Sequence, residues 1–143
     1  MIFSTWPALL VLDVEGNGTA PPDLVEVAAL PIRDGRPDKT TARAWLTRPN
    51  RPVTQWATRV HGLSNSDLAD KPAWSEIAEE VHGFLGTAWI CAHNADTDYR
   101  VVLARLPSWQ PAGVLALFAW PERPSRAWTA TAWMTSSSTS SPT

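Results

Sequence analysis

The sequence predicts a single α/β domain, a mixed sheet with helices against it. Three observations carry this. Short apolar runs rich in branched residues occur at residues 8–14, 24–32 and 87–93. Two stretches carry apolar residues at spacings of three and four. The two kinds alternate only in the second half of the chain, so the first strands must pair as hairpins and the later ones by crossover. At 143 residues, with 44% hydrophobic and 18% charged residues, the chain has the length and composition of one soluble globular domain.

The first strand is "ALLVLDV", ended by the turn cluster "GNGTAPPD". "LVEVAALPI" is the second, closed by the hairpin-type turn "RDGRPD", and "TTARAWLT" is the third. These three are expected to form an antiparallel meander. Residues 48–72 are rich in loop formers, with one short helix over residues 55–60. Pro72 opens a helix, "AWSEIAEEVHGFLG", whose Trp74, Ile77, Ala78, Val81 and Leu85 share one face. "TAWICAH" is a fourth strand. "DTDYRVVLARLP" is a further helix with Tyr99, Val102, Leu103 and Leu106 on one side and Pro107 ending it.

Composition excludes some classes. A net charge of −2 provides no global basic field, although a local basic strip or a bound metal can still attract nucleic acid. The single cysteine, Cys91, excludes an internal disulfide and a cysteine-cluster metal site. No apolar run reaches the roughly 18 residues of a membrane span. The N-terminus has no basic leader, so no signal peptide is expected, and a cytoplasmic location is.

Chemistry concentrates at two strand ends. Alternation puts Asp13 and Glu15 on one face of the first strand, with Val14 on the other. Two carboxylates so placed repel and resist burial unless a cation joins them, and Mg²⁺ takes oxygen ligands of this kind. The alternative is a strand end fraying into water with both acids hydrated. The second cluster, "CAHNADTDYR", stands where the fourth strand passes into a helix. Asp98 lies one turn in, on the side able to face the strand ends, where ligands of open sheets gather. Asp96 and Asp98 can also be read as first-turn acids that favour the helix dipole. That reading leaves unexplained why two separate strand ends both present acids.

"VLDVEGNG" with "DLVEVAALPI", then "HGLSNSDLADKPAWSEIAEEVHGFL", then "ICAHNADTDYRVVL", resemble in order and spacing the DEDD-type 3′–5′ exonuclease superfamily. These are relatives of the proofreading exonucleases with an RNase H-like fold. The likeness runs from about Leu9 to Leu115. Gly16 stands where the family has Thr, and Thr97 where it has an aromatic residue. The resemblance implies hydrolysis of phosphodiester bonds at single-stranded 3′ ends of DNA or RNA, with two Mg²⁺ or Mn²⁺ ions. It implies Asp13, Glu15 and Asp98 as catalytic metal ligands. It also implies Gly16 and Asn17 beside the terminal nucleotide, His61, Gly62 and Leu63 bordering the base pocket, and Asn94 bracing the second motif. For His61 the alternative is a polar loop residue; His82 and His93 are read as structural.

The family's third segment, which supplies a general-base histidine and a fourth acid, has no counterpart here. Beyond Glu122 the chain contains no Asp, Glu or His, and residues 116–143 hold three Trp and eleven Ser or Thr. Trp and Met each have one codon, so the adjacent reading frame is partly recoverable. Trp128-Thr129, Trp133-Met134 and Met134-Thr135 each yield an Asp codon there. The tail is therefore read as a frameshifted version of the third segment. The expected organisation is an incomplete exonuclease domain over residues 1–115 and an aberrant, poorly ordered tail over 116–143. Nuclease activity is expected to be impaired. The other readings are a nucleic-acid-binding remnant without catalysis and an unrelated α/β protein whose acids merely face solvent.

Overall fold

The computed structural model describes residues 8–116. Its ten elements are β1 (Leu9–Gly16), β2 (Leu24–Arg33), β3 (Arg36–Pro37), β4 (Arg43–Leu46), α1 (Gln55–His61), α2 (Asn65–Leu68), α3 (Trp74–Leu85), β5 (Trp89–Ala92), α4 (Ala95–Arg105) and β6 (Val114–Ala116). The sheet runs β3-β2-β1-β5-β6, with β4 also pairing β2. β1, β2, β3 and β4 pair antiparallel, while β5 and β6 join in parallel. The expected mixed RNase H-like sheet, an antiparallel meander extended by parallel strands, is the architecture found.

Alternation sorts the sheet into two faces. Leu10, Leu12 and Val14 of β1 are buried in one large core with Val27, Ala29, Trp45, Ile90 and Ala92. α3 presses Ile77, Val81 and Leu85 onto that face, and α4 adds Ala95 and Val102. Phe84 meets Trp45 edge-on at 5.3 Å between ring centroids. The other face carries a smaller cluster, Val25, Val53, Ala57 and Leu68, under α1 and α2.

A β-bulge separates the two clusters at the end of β1. Glu15 pairs with Glu26, but Gly16 pairs with Leu24, so Val25 is the extra residue. The bulge turns Leu24 into the large core and Val25 into the small one, the reverse of simple alternation.

Four elements differ from the sequence expectation, the first being β3, a two-residue strand inside the stretch expected as a hairpin turn. The expected third strand, β4, is shorter, because Asp38 gathers the Thr40 and Thr41 hydroxyls at 2.5 and 2.8 Å and holds this part of the chain as a turn. α2 forms where the sequence predicts loop; its signal is the capping box from Ser64 to Asp67, whose side chains each bond the other's backbone N–H. β6 has three half-covered or exposed residues and no period to read; parallel pairing to β5 creates it. Beyond Ala116 the proposed tail and its frameshift lie outside the described residues, and the boundary expected at residue 115 falls within β6.

Candidate active site

Two of the predicted site acids, Asp13 and Glu15, lie at the carboxyl end of β1. Asp13 and Glu15 alternate with buried Leu12 and Val14, so both side chains stand half-buried on the face opposite the large core. Across the ladder Glu15 lies beside Glu26, which is only 1% exposed. This third acid was not singled out from sequence, because a lone glutamate in an apolar strand carries no motif.

Asp98 stands in the first turn of α4, beyond the end of the adjacent parallel strand β5, and its amide donates to the Asn94 carbonyl at 2.9 Å. It is half-buried and lies three residues after Ala95 and four before Val102, on the stripe that packs toward the sheet. Asn94 and His93 are exposed at the head of that helix. Among the described residues no group of three or more His, Cys, Asp and Glu side chains is gathered to hold a metal ion. Asp13 and Glu15 share a face of β1; Asp98 follows β5, the parallel neighbour of β1. Carboxylate oxygens are the donors that a hard divalent ion requires, so the residue types fit such an ion.

Around this rim the chain binds itself tightly. Asn17 is fully buried. Its Oδ1 accepts from the Asp23 amide at 2.9 Å and from the Thr19 hydroxyl at 2.8 Å, and its Nδ2 donates to the Arg51 carbonyl at 3.1 Å. Its own amide and carbonyl are taken by the Asp23 carbonyl and the Thr54 amide, both at 2.9 Å. Asn17 thus holds the turn after Glu15, and its side chain has no surface to offer a nucleotide.

His61 closes the same turn from the other side. Its Nδ1 accepts from the Leu63 amide at 3.1 Å, which makes Nε2 the protonated nitrogen that donates to the Gly16 carbonyl at 3.1 Å. Burial pushes its pKa down from the ordinary value, and the bond to the Gly16 carbonyl partly offsets this. Gly62 caps α1 with φ +82°, a left-handed conformation that glycine adopts without strain. Leu63 is half-buried against the small core. Gly16 itself packs on Pro22, where an added Cβ would approach the proline Cβ at 3.0 Å.

Sequence reasoning missed the charged node beside the site. Asp23, 5% exposed, takes Arg51 through Nε at 3.2 Å and a terminal guanidinium nitrogen at 3.1 Å, and Arg105 at 2.7 Å. The Arg51 guanidinium holds its carboxyl down at about 2, against the opposing effect of burial. A dispersed Asp, Arg, Arg set 82 residues apart leaves no local pattern to read.

This fold and these motifs in this order define a DEDD-type exonuclease domain. The chain belongs to the exonuclease family of RNase T, whose family model matches residues 10–106. Exodeoxyribonuclease 10 of Escherichia coli (strain K12) is 32% identical to it over 113 residues, 79% of this chain and 49% of that protein. A DNA polymerase III subunit epsilon-like protein of Rhodobacter capsulatus is 34% identical over 92 residues, 62% of this chain and 13% of that protein. Among solved structures, exonuclease X in complex with 5′ overhanging duplex DNA matches with a TM-score of 0.57 and 31% identity. That match covers 66% of this chain and 53% of the other. Exonuclease I shares the fold at a TM-score of 0.66 and 16% identity, over 78% of this chain and 28% of its own. The chain spans about half the length of the curated relatives it matches first. Exonucleases of this family depend on metal. No helix among the described residues is long and apolar enough to cross a membrane.

Proposed function

We propose that this chain is a 3′–5′ exonuclease-family domain that acts on the 3′ ends of single-stranded DNA or RNA, in the cytoplasm. In this reading Asp13, Glu15 and Asp98 hold Mg²⁺ or Mn²⁺. The observation that carries it is the pair of half-buried carboxylates on one face at the end of β1, with Asp98 offered at the rim of the neighbouring parallel strand. Convergence of Asp98 with the other two belongs to the proposal, since like charges separate until a cation joins them. When bound, such ions polarise a phosphoryl oxygen and favour attack by water. The chain's own residues hold the substrate. The backbone at Gly16 and Gly62 and the Leu63 side chain border the terminal nucleotide, while Asn94 braces the second motif. Asn17 and His61 position the turn between them.

Activity is impaired in this reading, because residues 123–143 contain no Asp, Glu or His to serve as the third motif. The same observation favours a second reading, a nucleic-acid-binding remnant of the family without catalysis.

Thermal unfolding of the 143-residue protein with and without Mn²⁺ tests the site. A rise in Tm that disappears in Asp13→Asn and in Asp98→Asn is expected; no metal response at all removes the metal-site reading. Release of nucleoside monophosphates from a labelled oligonucleotide then separates the two readings. Weak or absent turnover is expected, and robust turnover would show that activity is not impaired.

A further inference from the structure

The site leaves one surface unused. α1 buries Ala57 and His61, and its opposite side carries Trp56, Arg59 and Val60. Trp56 is 68% exposed. Arg59 and Val60 follow it by three and four residues, which makes them its neighbours on the helix surface. A single exposed apolar residue needs no explanation, but two further observations set this one apart. From Arg48 to Ser66 the chain carries three arginines and no acid; Asp23 takes the charge of Arg51, and Arg48 and Arg59 keep the segment basic against a net charge of −2 overall. Both ends of α1 are also pinned to the residues that follow Glu15. The Thr54 amide donates to the Asn17 carbonyl at 2.9 Å, and His61 bonds the Gly16 carbonyl at 3.1 Å. A seven-residue helix is about 10 Å long. The indole therefore stands a short way from the end of the acid-bearing strand, on a segment of opposite charge to a phosphate backbone.

We propose that the exposed face of α1 is a platform for the single strand leading into the site. A base stacks on the Trp56 indole, and the Arg59 guanidinium takes a phosphate beside it. Every base has a π-face, so this contact is tolerant of sequence, and the arginine makes it salt-dependent. The platform rests on the nuclease reading only in that the strand's destination is the end of β1.

The test is binding of a fluorescein-labelled thymidine 20-mer to the full chain, followed by anisotropy in EDTA so that neither metal nor hydrolysis enters. Trp56→Leu should weaken binding by roughly fivefold or more, whereas Trp56→Phe, which keeps a ring, should retain most of it. Arg59→Ala should weaken it and lower the slope of log K against log salt by about 0.7. Arg36→Ala, in β3 at the far edge of the sheet, should leave the Trp56 effect in place. These side chains are exposed, and melting curves check that each variant folds. No binding by the wild-type chain would overturn the platform. Variants within twofold of wild type would also overturn it, and would leave Trp56 free for a protein partner. Neither result touches the Mn²⁺ response of Asp13 and Asp98, so failure of the platform and failure of the metal site are read separately.

Discussion

Asp23 keeps its charge in a place nearly closed to water because two guanidinium groups and a backbone amide all point at it. A carboxylate held at about 2 when folded and near 3.8 when unfolded stabilises the fold fully above 3.8. That contribution is lost as pH falls from 3.8 toward 2. Asp23→Ala should remove this acid-sensitive step and cost about 1–3 kcal/mol, the cost of leaving buried donors unpaired; urea titrations at pH 7 and pH 3 measure both. His61 works in the same direction at a higher pH. Its folded pKa lies below its ordinary 6.5, so the unfolded chain takes up the proton first. Stability is complete above pH 6.5 and declines as pH falls below it. His61→Gln should flatten that part of the profile, and a stability curve unchanged in shape between pH 7 and 5 would refute the assignment. Neither residue's role was legible beforehand. Asp23 looks like one more turn residue, and His61 like a border of the base pocket, because the partner of its ring, the Gly16 carbonyl, lies 45 residues away in the chain.

At the scale of elements, the helices follow from their own stripes. α3 buries Ile77, Val81 and Leu85 at spacings of four, the residues that its periodicity named. Leu85→Ala should cost about 2–5 kcal/mol, because its pocket is lined by the rigid sheet and cannot collapse fully; chemical denaturation gives the value. The link between α4 and β6 is less visible in sequence. Gly113 lies under the ring of Trp89, and an added Cβ would overlap the Cζ3, Cε3 and Cη2 atoms of that ring. Gly113→Ala should therefore destabilise the β5–β6 edge by about 1–3 kcal/mol through overpacking. Hydrogen exchange should show it first at the Ile90 amide, which donates to the Gly113 carbonyl at 2.9 Å. A faster exchange confined to other strands would count against this.

Across the whole molecule, the sheet has two unlike faces, and the division of labour follows from that. The face under α3 and α4 holds the large core. The face under α1 and α2 has a smaller core and presents the half-buried acids of β1. Most of the apolar burial thus lies on one side of the strands and the acids of β1 on the other, while Asp98 comes from α4 on the large-core side. A conservative change in the acids, Glu15→Gln, should leave the Tm without metal close to wild type while weakening the Mn²⁺-induced rise. A large fall in the metal-free Tm would show that Glu15 is primarily structural.

Local order was determined by the sequence alone. The D-x-E at a strand end, the helix after Pro72, the meander and the H-N-A motif before α4 are short-range patterns, set by side-chain period and by the residues that end an element. Only the tertiary structure decided the β-bulge at Val25, the burial of Glu26 beside Glu15, the Asp23 node with Arg51 and Arg105, and the pinning of α1 to the end of β1. Each of these joins residues far apart in the chain through pairing geometry and desolvation. Such terms exist only after the strands have met, so no window of sequence contains them.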